Sequence, residues 1–417
     1  MDFDRIFSLD RAGEHSIREF GTRRFAFADL ATTEGRPFIA LVGPRGAGKT
    51  VLLRQLRAQS SAAVYISADT LDPGIDLYEL VRVLSTQFGI RNVFIDEIHF
   101  IPTFAAHLKT IHDFLAVRLW FSSSVALALD QARWDLSRRV VTYRIHPFTY
   151  REYLRFAEGI ELEALPLKRC LTEAIDPEYL RVGRRFHDYL RGGLHPFLLQ
   201  PGAGLPLFEN IVQTVINRDI PSVEPSVTVA DLESLGRAVR FIGRSSVDGI
   251  NYSTLARNLG ITVYKAEQYL SWLERSFIAT RVFPAGTNVL KEPKVLLQLP
   301  YRLLHQDFDQ AVGALREEFF ALAMQQHGCG FQYAKSVRGS KTPDFLLSVD
   351  ASGTLHGTVV EIGGRGKGRS QFKGLEYERK VVLFDAALSP GRSGRSGRPG
   401  SGIEPGRRVP LFCIGFA

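Results

Sequence analysis

One octapeptide limits what this chain can fold into more than any other feature. Residues 43–50 read GPRGAGKT and fit the pattern G-x-x-x-x-G-K-[ST]. An apolar run, Phe38 to Val42, precedes the octapeptide between Pro37 and Gly43, as in a buried parallel strand. Apolar residues recur behind it at helical spacing, through Leu56. The stretch therefore predicts a strand–loop–helix unit in an α/β sheet.

The loop in this unit predicts an ATP site. Its glycines let the backbone fold tightly around phosphate oxygens, and its amides and the following helix N-terminus supply positive potential. Lys49 is expected to reach the β- and γ-phosphates and to act in catalysis, and Thr50 to offer its hydroxyl to Mg2+. A plain glycine turn before a helix is the alternative. The predicted nucleotide-binding residues are Gly43, Pro44, Arg45, Gly46, Ala47, Gly48, Lys49, Thr50 and Val51.

A second strand carries acids for the metal and for water. RNVFIDEIHF, residues 91–100, has a buried apolar run followed by Asp96 and Glu97. Ligands of open α/β sheets bind at the carboxyl ends of the strands. We expect Asp96 to hold Mg2+ and Glu97 to orient or activate the attacking water. A strand-like AVYISAD at 63–69 lies between the two motifs, as the fold requires.

Two further groups are candidates for catalysis. The predicted strand VRLWFSSS, residues 117–124, ends in serines. Ser122 or Ser123, with Ser123 preferred, would hydrogen-bond the γ-phosphate or the lytic water, unless the serines only end the strand. Arg138 and Arg139 would complete a neighbouring subunit's site as arginine fingers, unless they are a solvated pair before a strand.

The order of these motifs resembles one prokaryotic branch of the AAA+ ATPases. The matching stretches are GPRGAGKT, FIDEIH, FSSS, SRR…HPFTYREYL and YLRGGLHP (residues 189–196). In that branch an AAA-type domain precedes a C-terminal domain of uncharacterised function. The resemblance implies an α/β ATPase core with a small helical lid, and it places GGLHP near the adenine. Alternatively, Gly192, Gly193 and Pro196 cap and end a helix.

Residues 250–283 predict a helix-turn-helix with the strand of a wing. One helix leads to a turn at Gly260, and a second carries apolar residues from Ala266 to Phe277 at helical spacing. Such a module places its second helix in the DNA major groove or serves as a packing module. Acids among the outward residues favour the second use. Those residues are Lys265, Glu267, Gln268, Glu274 and Arg275.

The C-terminal region resembles restriction-endonuclease-like nucleases. An amphipathic helix (313–328), strands at 342–350, 356–364 and 380–388, and a closing strand at 409–417 are expected. The resemblance implies Glu317 as the helix acid, with Asp344 and Glu361 as metal ligands. Gly363 stands where such enzymes keep a lysine, so Lys367 would have to replace it. The degenerate candidate site is Glu317, Asp344, Glu361, Lys367 and Gln371.

Composition sets the remaining expectations. The chain has 417 residues, a net charge of +8 and three widely spaced cysteines. This favours several domains and a reducing cytoplasm, and excludes a disulfide framework. We expect an AAA+ core at 1–155, a helical lid at 156–220, a winged-helix module at 221–289 and the nuclease-like domain at 290–417. The expected function is that of a homo-oligomeric, Mg2+-dependent ATPase that couples hydrolysis to rearrangement of a C-terminal region binding nucleic acid or a protein partner. The alternatives are an ATP-gated DNA nuclease and a slow nucleotide switch.

Overall fold

The computed structural model describes most of the chain. The described residues are 2–72, 74–126, 136–285, 293–334, 343–349, 355, 357–363, 378–386 and 407–417. Lys367 and Gln371 of the candidate nuclease site, and the cations of the glycine-rich stretch around them, lie outside these ranges. Among the described residues, no helix combines the length and apolarity needed to cross a membrane.

The N-terminal third is built on a parallel sheet, as predicted. The sheet has five strands in the order β2-β3-β4-β1-β5, and every neighbouring pair is parallel. The carboxyl ends of all strands therefore meet at one edge, where β1 and β3 deliver their motifs. The strands are β1 Phe38–Val42, β2 Ala63–Ser67, β3 Asn92–Asp96, β4 Arg118–Ser123 and β5 Val140–Arg144.

Helices cover this sheet on both faces. Alternate residues of β1 enter different cores: Phe38 and Val42 pack with Leu80, whereas Leu41 packs with Leu53. Because both faces are buried, the strand needs an unbroken apolar run rather than an alternating one. The helices of this part are α1 Phe3–Ser16, α2 Ala26–Ala31, α3 Lys49–Ala58, α4 Leu77–Gln87 and α5 Phe104–Phe114.

The middle of the chain is mainly helical. Gly260 adopts a left-handed φ of 69° between two helices, and strands β6 and β7 pair antiparallel after them. The elements agree with the expected helix-turn-helix and strand, and the assignment as a winged helix stays a prediction. The elements are α6 Tyr150–Glu158, α7 Leu167–Thr172, α8 Pro177–Arg181, α9 Phe186–Asp188, α10 Leu205–Thr214, α11 Ile220–Val223, α12 Val229–Arg244, α13 Tyr252–Leu259, α14 Val263–Arg275, β6 Ala279–Val282 and β7 Lys294–Leu297.

A second five-stranded sheet, in the order β12-β11-β10-β9-β8, closes the C-terminal region. It is mixed, because β8, β9 and β10 pair antiparallel while β10, β11 and β12 pair parallel. This sheet does not by itself establish the restriction-endonuclease-like assignment. The elements are α15 Phe308–Gln326, β8 Gly330–Tyr333, β9 Phe345–Val349, β10 Thr358–Gly363, β11 Arg379–Phe384 and β12 Arg407–Pro410.

Two local expectations for this region were wrong. The helix expected to be amphipathic is buried at every position from Glu318 to Met324, because it lies inside a shared core rather than on a surface. The expected closing strand ends at Pro410, and Leu411–Gly415 forms a 3-10 helix whose residues are all buried. An apolar run alone does not distinguish a buried strand from a buried helical turn.

Two cores connect the regions. Residues between 148 and 194 pack with α15 and the C-terminal sheet, for example Tyr189 with Phe319. Residues between 208 and 220 pack instead with the helices and strands of 235–301. The segment expected as a lid, 156–220, therefore contributes to both cores, and the predicted domain boundaries remain predictions.

Candidate functional site

The loop between β1 and α3 has the backbone that phosphate binding requires. Gly46 and Gly48 adopt φ values of +78° and +88°, in the left-handed region that favours glycine. A Cβ on Gly43 would lie 1.9 Å from the carbonyl oxygen of Ile145, because the backbone following β5 passes directly beside the loop. These constraints explain the glycines of GPRGAGKT.

Lys49 and Thr50 begin α3 inside this loop. The Lys49 Nζ donates to the carbonyl oxygens of Gly43 at 2.8 Å and Pro44 at 3.0 Å, and burial lowers the pKa of its ammonium group. The Thr50 hydroxyl donates to Asp96 Oδ2 at 2.7 Å. The structure thus brings together the predicted lysine, hydroxyl and acid, although Thr50 and Asp96 are 46 positions apart.

Asp96 is the last residue of β3 and is buried. Its Oδ2 also accepts from the Tyr65 hydroxyl at 2.7 Å, and its Oδ1 accepts from the Ser122 hydroxyl. Burial, followed by the charge of Asp96, raises the pKa of Tyr65, which therefore remains a donor. The carboxylate is thus oriented from three neighbouring elements, in the way second-shell groups orient metal ligands.

Glu97 follows Asp96 in a left-handed conformation, with φ 50°. Its Oε2 accepts from the Ser124 amide at 2.9 Å and lies 3.4 Å from His99 Nδ1. Its Oε1 lies 3.9 Å from Arg45 Nη1. Burial alone would raise the pKa of Glu97, but Lys49, His99 and Arg45 outweigh it and lower the pKa. The group is therefore an anion at neutral pH.

The serines and arginines proposed for catalysis lie in different places. Ser122 supports the acids, since its hydroxyl also accepts from the Glu97 amide at 2.9 Å. Ser123 is fully buried; its hydroxyl donates to the Val125 carbonyl at 2.9 Å and lies 3.2 Å from His99 Nδ1. Arg138 is exposed, and Arg139 forms a bidentate ion pair with Asp113.

A cavity of about 490 Å³ extends from the loop. Lys49, Thr50 and Glu97 line one part of it, and the N-terminal segment, α3, the region around α6 and the stretch after Gly193 contribute the other residues. Those residues are Glu19, Phe20, Gly21, Thr22, Arg24, Leu52, Gln55, Phe148, Phe156, Pro196, Phe197, Leu199 and Gln200. The stretch GGLHP, expected near the nucleotide, thus reaches the cavity through Pro196.

His195 shows how closely this stretch approaches the loop. A Cβ on Gly46 would lie 2.5 Å from Phe197 and 3.4 Å from His195 Nδ1. His195 is buried and its Nε2 lies 3.2 Å from the Leu299 carbonyl oxygen. Burial lowers the pKa of His195 to about 4, so a neutral imidazole packs against the loop.

Two residues that support the site were missed by the sequence analysis. Arg24 donates to the carbonyl oxygens of Ala47 at 2.7 Å and His146 at 2.8 Å, and forms a bidentate pair with Glu152. Asp219, which is fully buried, accepts from Arg45 Nε at 2.5 Å and Nη2 at 2.7 Å. Neither residue lies in a motif, and Arg45, the main partner of Asp219, is 174 positions away.

The acids expected in the C-terminal region lie in a different environment. Glu317 Oε2 lies 2.5 Å from the Lys294 Nζ, which also contacts Asp248 at 2.9 Å. Asp344 Oδ2 accepts from the Ile362 amide at 2.7 Å, and Glu361 is fully buried on β10. Within the described ranges no three acidic, histidine or cysteine side chains form a group that could hold a metal ion.

Two of the five outward residues of α14 form ion pairs with other elements of the protein. Lys265 pairs with Asp231 at 2.6 Å, and Glu274 pairs with Arg281 at 2.6 Å. Glu267 and Arg275 are exposed, and Gln268 is half-buried. The most exposed large hydrophobic side chain of the helix is Tyr264, at 75%.

Comparison with known families gives the class of the first domain. Residues 35–154 match a family model described as "AAA domain", and residues 185–297 match one described as "Domain of unknown function (DUF8612)". Residues 35–154 are thus similar to AAA domains, and they contain the P-loop motif GPRGAGKT. This match, with the loop geometry, supports a nucleotide-binding ATPase.

Matches to individual proteins support fewer conclusions than the match to the family model. The uncharacterized protein MJ1637 of Methanocaldococcus jannaschii is 27% identical over 380 residues, covering 82% of this chain and 78% of that protein. AMPPCP-bound DnaA from Aquifex aeolicus aligns over 64% of this chain and 89% of its own, with 14% identity and a TM-score of 0.25. PCH-2 of C. elegans aligns over 50% of this chain and 64% of its own, with 18% identity and a TM-score of 0.25. A TM-score of 0.25 is too low for either structure to support a conclusion about this chain.

Proposed function

We propose that this protein binds ATP with Mg2+ and hydrolyses it, and that hydrolysis rearranges a C-terminal region that contacts nucleic acid or a protein partner. One observation carries the proposal. The Lys49 ammonium, the Thr50 hydroxyl and the Glu97 carboxylate line one cavity, and the Thr50 hydroxyl donates to Asp96 at 2.7 Å. A lysine, a hydroxyl and two acids at a phosphate loop are the groups that phosphoryl transfer to water needs.

Each group has a defined task in this reaction. Thr50 and Asp96 offer the hard oxygen atoms that Mg2+ prefers, and Mg2+ bound there would neutralise phosphate charge. Lys49 exchanges its two carbonyl partners for phosphate oxygens, with its positive charge already at the loop. Glu97 is ionised and held by the Ser124 amide, so it accepts a hydrogen bond from water and orients it toward the γ-phosphate.

The cavity walls support coupling to the rest of the chain. Pro196 and Phe197 line the cavity, while Tyr189, Leu190 and Leu194, a few residues earlier, pack in the core that contains α15 and the C-terminal sheet. A nucleotide that moves the 195–200 stretch therefore acts on a segment anchored in the C-terminal region. Rigid packed elements of this kind transmit displacement between sites.

The oligomer and its arginine fingers are part of the proposal. Arg138 is exposed just before the edge strand β5, a position from which it can reach a neighbouring subunit. We expect turnover per subunit to rise with protein concentration and Arg138→Ala to abolish that rise. Arg139 is the second candidate, although its pair with Asp113 must first break. Turnover that is independent of concentration, with the protein monomeric, would remove both arginines from the reaction.

The direct test of the function compares two lysines. Phosphate release from Mg-ATP by purified Lys49→Ala should fall to background, because Arg45, the other cation of the loop, is already held by Asp219. Lys109→Ala is the matched control, since Lys109 is exposed on α5 of the same domain and should leave turnover unchanged. Undiminished turnover in Lys49→Ala would show that the hydrolysis arises elsewhere or from a contaminant.

An ATP-gated nuclease is the second candidate function. It is favoured by the placement of Glu317 close enough to Asp344 for their charges to interact, with Lys294 beside them. Lys294 supplies a cation that the sequence pattern lacks at Gly363. Mg2+-dependent cleavage of DNA that disappears in Asp344→Ala and Glu361→Ala would establish this function. Absence of cleavage of single-stranded, duplex and branched DNA would dismiss it.

A slow nucleotide switch acting on a protein partner is the third proposal. Such a switch would use the same ATP site as the proposed ATPase. It would hydrolyse ATP more slowly and would act on a protein partner. A salt-dependent DNA titration with and without ATP separates it from the others, because phosphate contacts make DNA affinity fall steeply with salt. No DNA affinity, very low turnover and ATP-dependent assembly would favour the switch.

A further inference from the structure

Asp219 joins the helical segment after the nucleotide domain to the phosphate loop. It is fully buried, although aspartate is rarely so unless it is paired. It lies at the end of a π-helical turn, Val215–Asp219, between α10 and α11. Pro221 two residues later would clash with the backbone of a regular helix, and the wider turn accommodates it. Turns of this type are frequent at functional sites.

The main partner of Asp219 is Arg45, the third residue of GPRGAGKT. The two hydrogen bonds from Arg45 Nε and Nη2, at 2.5 and 2.7 Å, are bidentate, which fixes the guanidinium in orientation as well as position. Arg45 also lines the cavity with Lys49 and Thr50, and its Nη1 is 3.9 Å from Glu97 Oε1. The guanidinium thus lies between the helical segment and the acid that orients water.

Two further contacts connect Asp219 to Glu97. Ser124 donates its amide to Glu97 Oε2 at 2.9 Å and its hydroxyl to Asp219 Oδ2 at 3.2 Å. His99 lies between the same acids, with Nδ1 3.4 Å from Glu97 and Nε2 4.0 Å from Asp219. The His99 Nε2 is buried and has no hydrogen-bond partner within the described residues, so a small movement toward Asp219 would complete the connection.

We propose that Asp219 is a positioning residue for ATP hydrolysis: it holds Arg45 at the phosphate end of the cavity and, through Ser124 and His99, fixes the Glu97 carboxylate. The proposal rests on the function proposed above. It makes the docking of the helical segment 205–223 a condition for turnover rather than for binding, because these contacts orient charge at the reacting end of the cavity. Groups positioned in advance for the transition state act on kcat.

An ion pair with a purely structural role would show the same distances between its atoms. The test therefore needs, as a control, a similar buried pair away from the nucleotide cavity. Asp385 provides it: this buried aspartate accepts from Arg316 Nε at 2.9 Å and Nη2 at 2.8 Å and lies 3.0 Å from His187 Nε2. The composition is that of the Asp219 cluster, namely one buried aspartate, one arginine and one histidine. Arg316 and Asp385 belong to the C-terminal region and His187 to α9, and none of the three lines the nucleotide cavity.

The experiment measures Mg-ATP turnover and the binding of a fluorescent ATP analogue for full-length Asp219→Asn and Asp385→Asn. We expect Asp219→Asn to lower kcat by about 10- to 100-fold with KM changed by less than about threefold, since loss of orientation acts on the reacting state. Asp385→Asn should keep both values within about threefold of wild type. A wild-type kcat in Asp219→Asn, or a loss in KM alone, would overturn the proposal.

Arg45 variants test the same contact from the other side. Arg45→Gln should lower kcat like Asp219→Asn, and the double variant should be no slower than the slower single variant, because the two residues act as one unit. Should Asp219→Asn not fold, Arg45→Lys keeps the charge but loses the bidentate fork, and its kcat should still fall about 10-fold. Additive losses, or wild-type turnover in Arg45→Lys, would overturn the proposal.

The results also distinguish a failure of this inference from a failure of the proposed ATPase function. Wild-type protein without ATP turnover would overturn the proposed ATPase and this inference together. Wild-type turnover that depends on Lys49, accompanied by an unaffected Asp219→Asn, would leave the ATPase standing and overturn only the role of Asp219.

Discussion

Buried carboxylates beside the nucleotide cavity and on α15 have net pKa shifts of opposite sign. At the cavity, the pKa of Glu97 is lowered and that of Asp219 falls to about 2, although burial opposes both shifts. On α15, burial raises the pKa of Glu317 and raises that of Glu318 to about 7. The acids beside the nucleotide cavity therefore stay anionic, whereas the acids on α15 are closer to being protonated.

The number of donors explains the difference. Glu97 faces the charges of Lys49, His99 and Arg45, and the pKa of Asp219 is lowered by His99 and Arg45 beside it. Glu318 faces Arg302 as its main cation, and its Oε2 has no hydrogen-bond partner within the described residues. Several cations and donors outweigh the loss of hydration on burial, whereas one pair does not.

This difference bears on what each region can do. An ionised carboxylate can orient water, and Glu97, whose pKa is lowered, meets that requirement. Glu317 is engaged with Lys294 and is harder to ionise, so a metal ion would have to compete with both the lysine and the proton. The comparison supports an ATPase more strongly than it supports a nuclease.

The largest expected effect is a difference in ATP turnover between substitutions in the two groups of acids. Glu97→Gln should lower ATP turnover by roughly 100-fold or more, because the amide no longer accepts a proton from water, while ATP stays bound. Glu317→Gln, the matched change on α15, should leave turnover within about twofold of wild type, because it lies outside the cavity. Phosphate release and retention of radiolabelled ATP measure the two effects. Equal losses in both variants would remove the functional distinction.

The next effect concerns stability. Lys294→Met removes the cation beside Glu317, whose side chain is 16% exposed, and should lower the free energy of unfolding by about 3 kcal/mol. Lys265→Met is the control: the Lys265 side chain is 45% exposed in its pair with Asp231, so the change should cost less than about 1 kcal/mol. Urea unfolding measures both. Equal costs would mean that burial does not set the strength of these pairs.

The same comparison shows what the sequence could and could not predict. The strand, loop and acid motifs of the nucleotide domain are local patterns, and the parallel sheet brings their ends to one edge whatever the rest of the chain does. Lys49, Thr50, Asp96 and Glu97 were therefore placed near each other from the sequence alone. Their individual catalytic roles remain predictions.

Residues whose role comes only from tertiary packing gave no signal in the sequence. Asp219 looks like an ordinary helix residue before a proline, and its partner in the loop is 174 positions away. Lys294 lies before α15, the helix that carries its partner Glu317. It is therefore outside the pattern of helix and strands from which the nuclease-like site was predicted. The burial of α15 was also missed, because helical periodicity does not show how many faces will be covered.

The smallest expected effect is a pH dependence of opposite sign in the two groups. Glu318 has a folded pKa of about 7, above its ordinary value of 4.5. Its stabilising contribution is therefore complete below that ordinary value and is lost as pH rises through about 7. Asp219 has a folded pKa of about 2, below its ordinary value of 3.8. Its contribution is present above the ordinary value and is lost as pH falls toward 2.

Unfolding midpoints measured across this pH range test the assignment of each slope. Glu318→Gln should flatten the loss of stability on the neutral side, by on the order of 2 kcal/mol, and leave the acid side unchanged. Asp219→Asn should flatten the acid side, by on the order of 1 kcal/mol, and leave the neutral side unchanged. The slope is the useful quantity, because each substitution also shifts stability at every pH by removing a hydrogen-bond acceptor for an arginine. Slopes that respond to the wrong substitution would show that neither burial of Glu318 nor the donors around Asp219 control their ionisation.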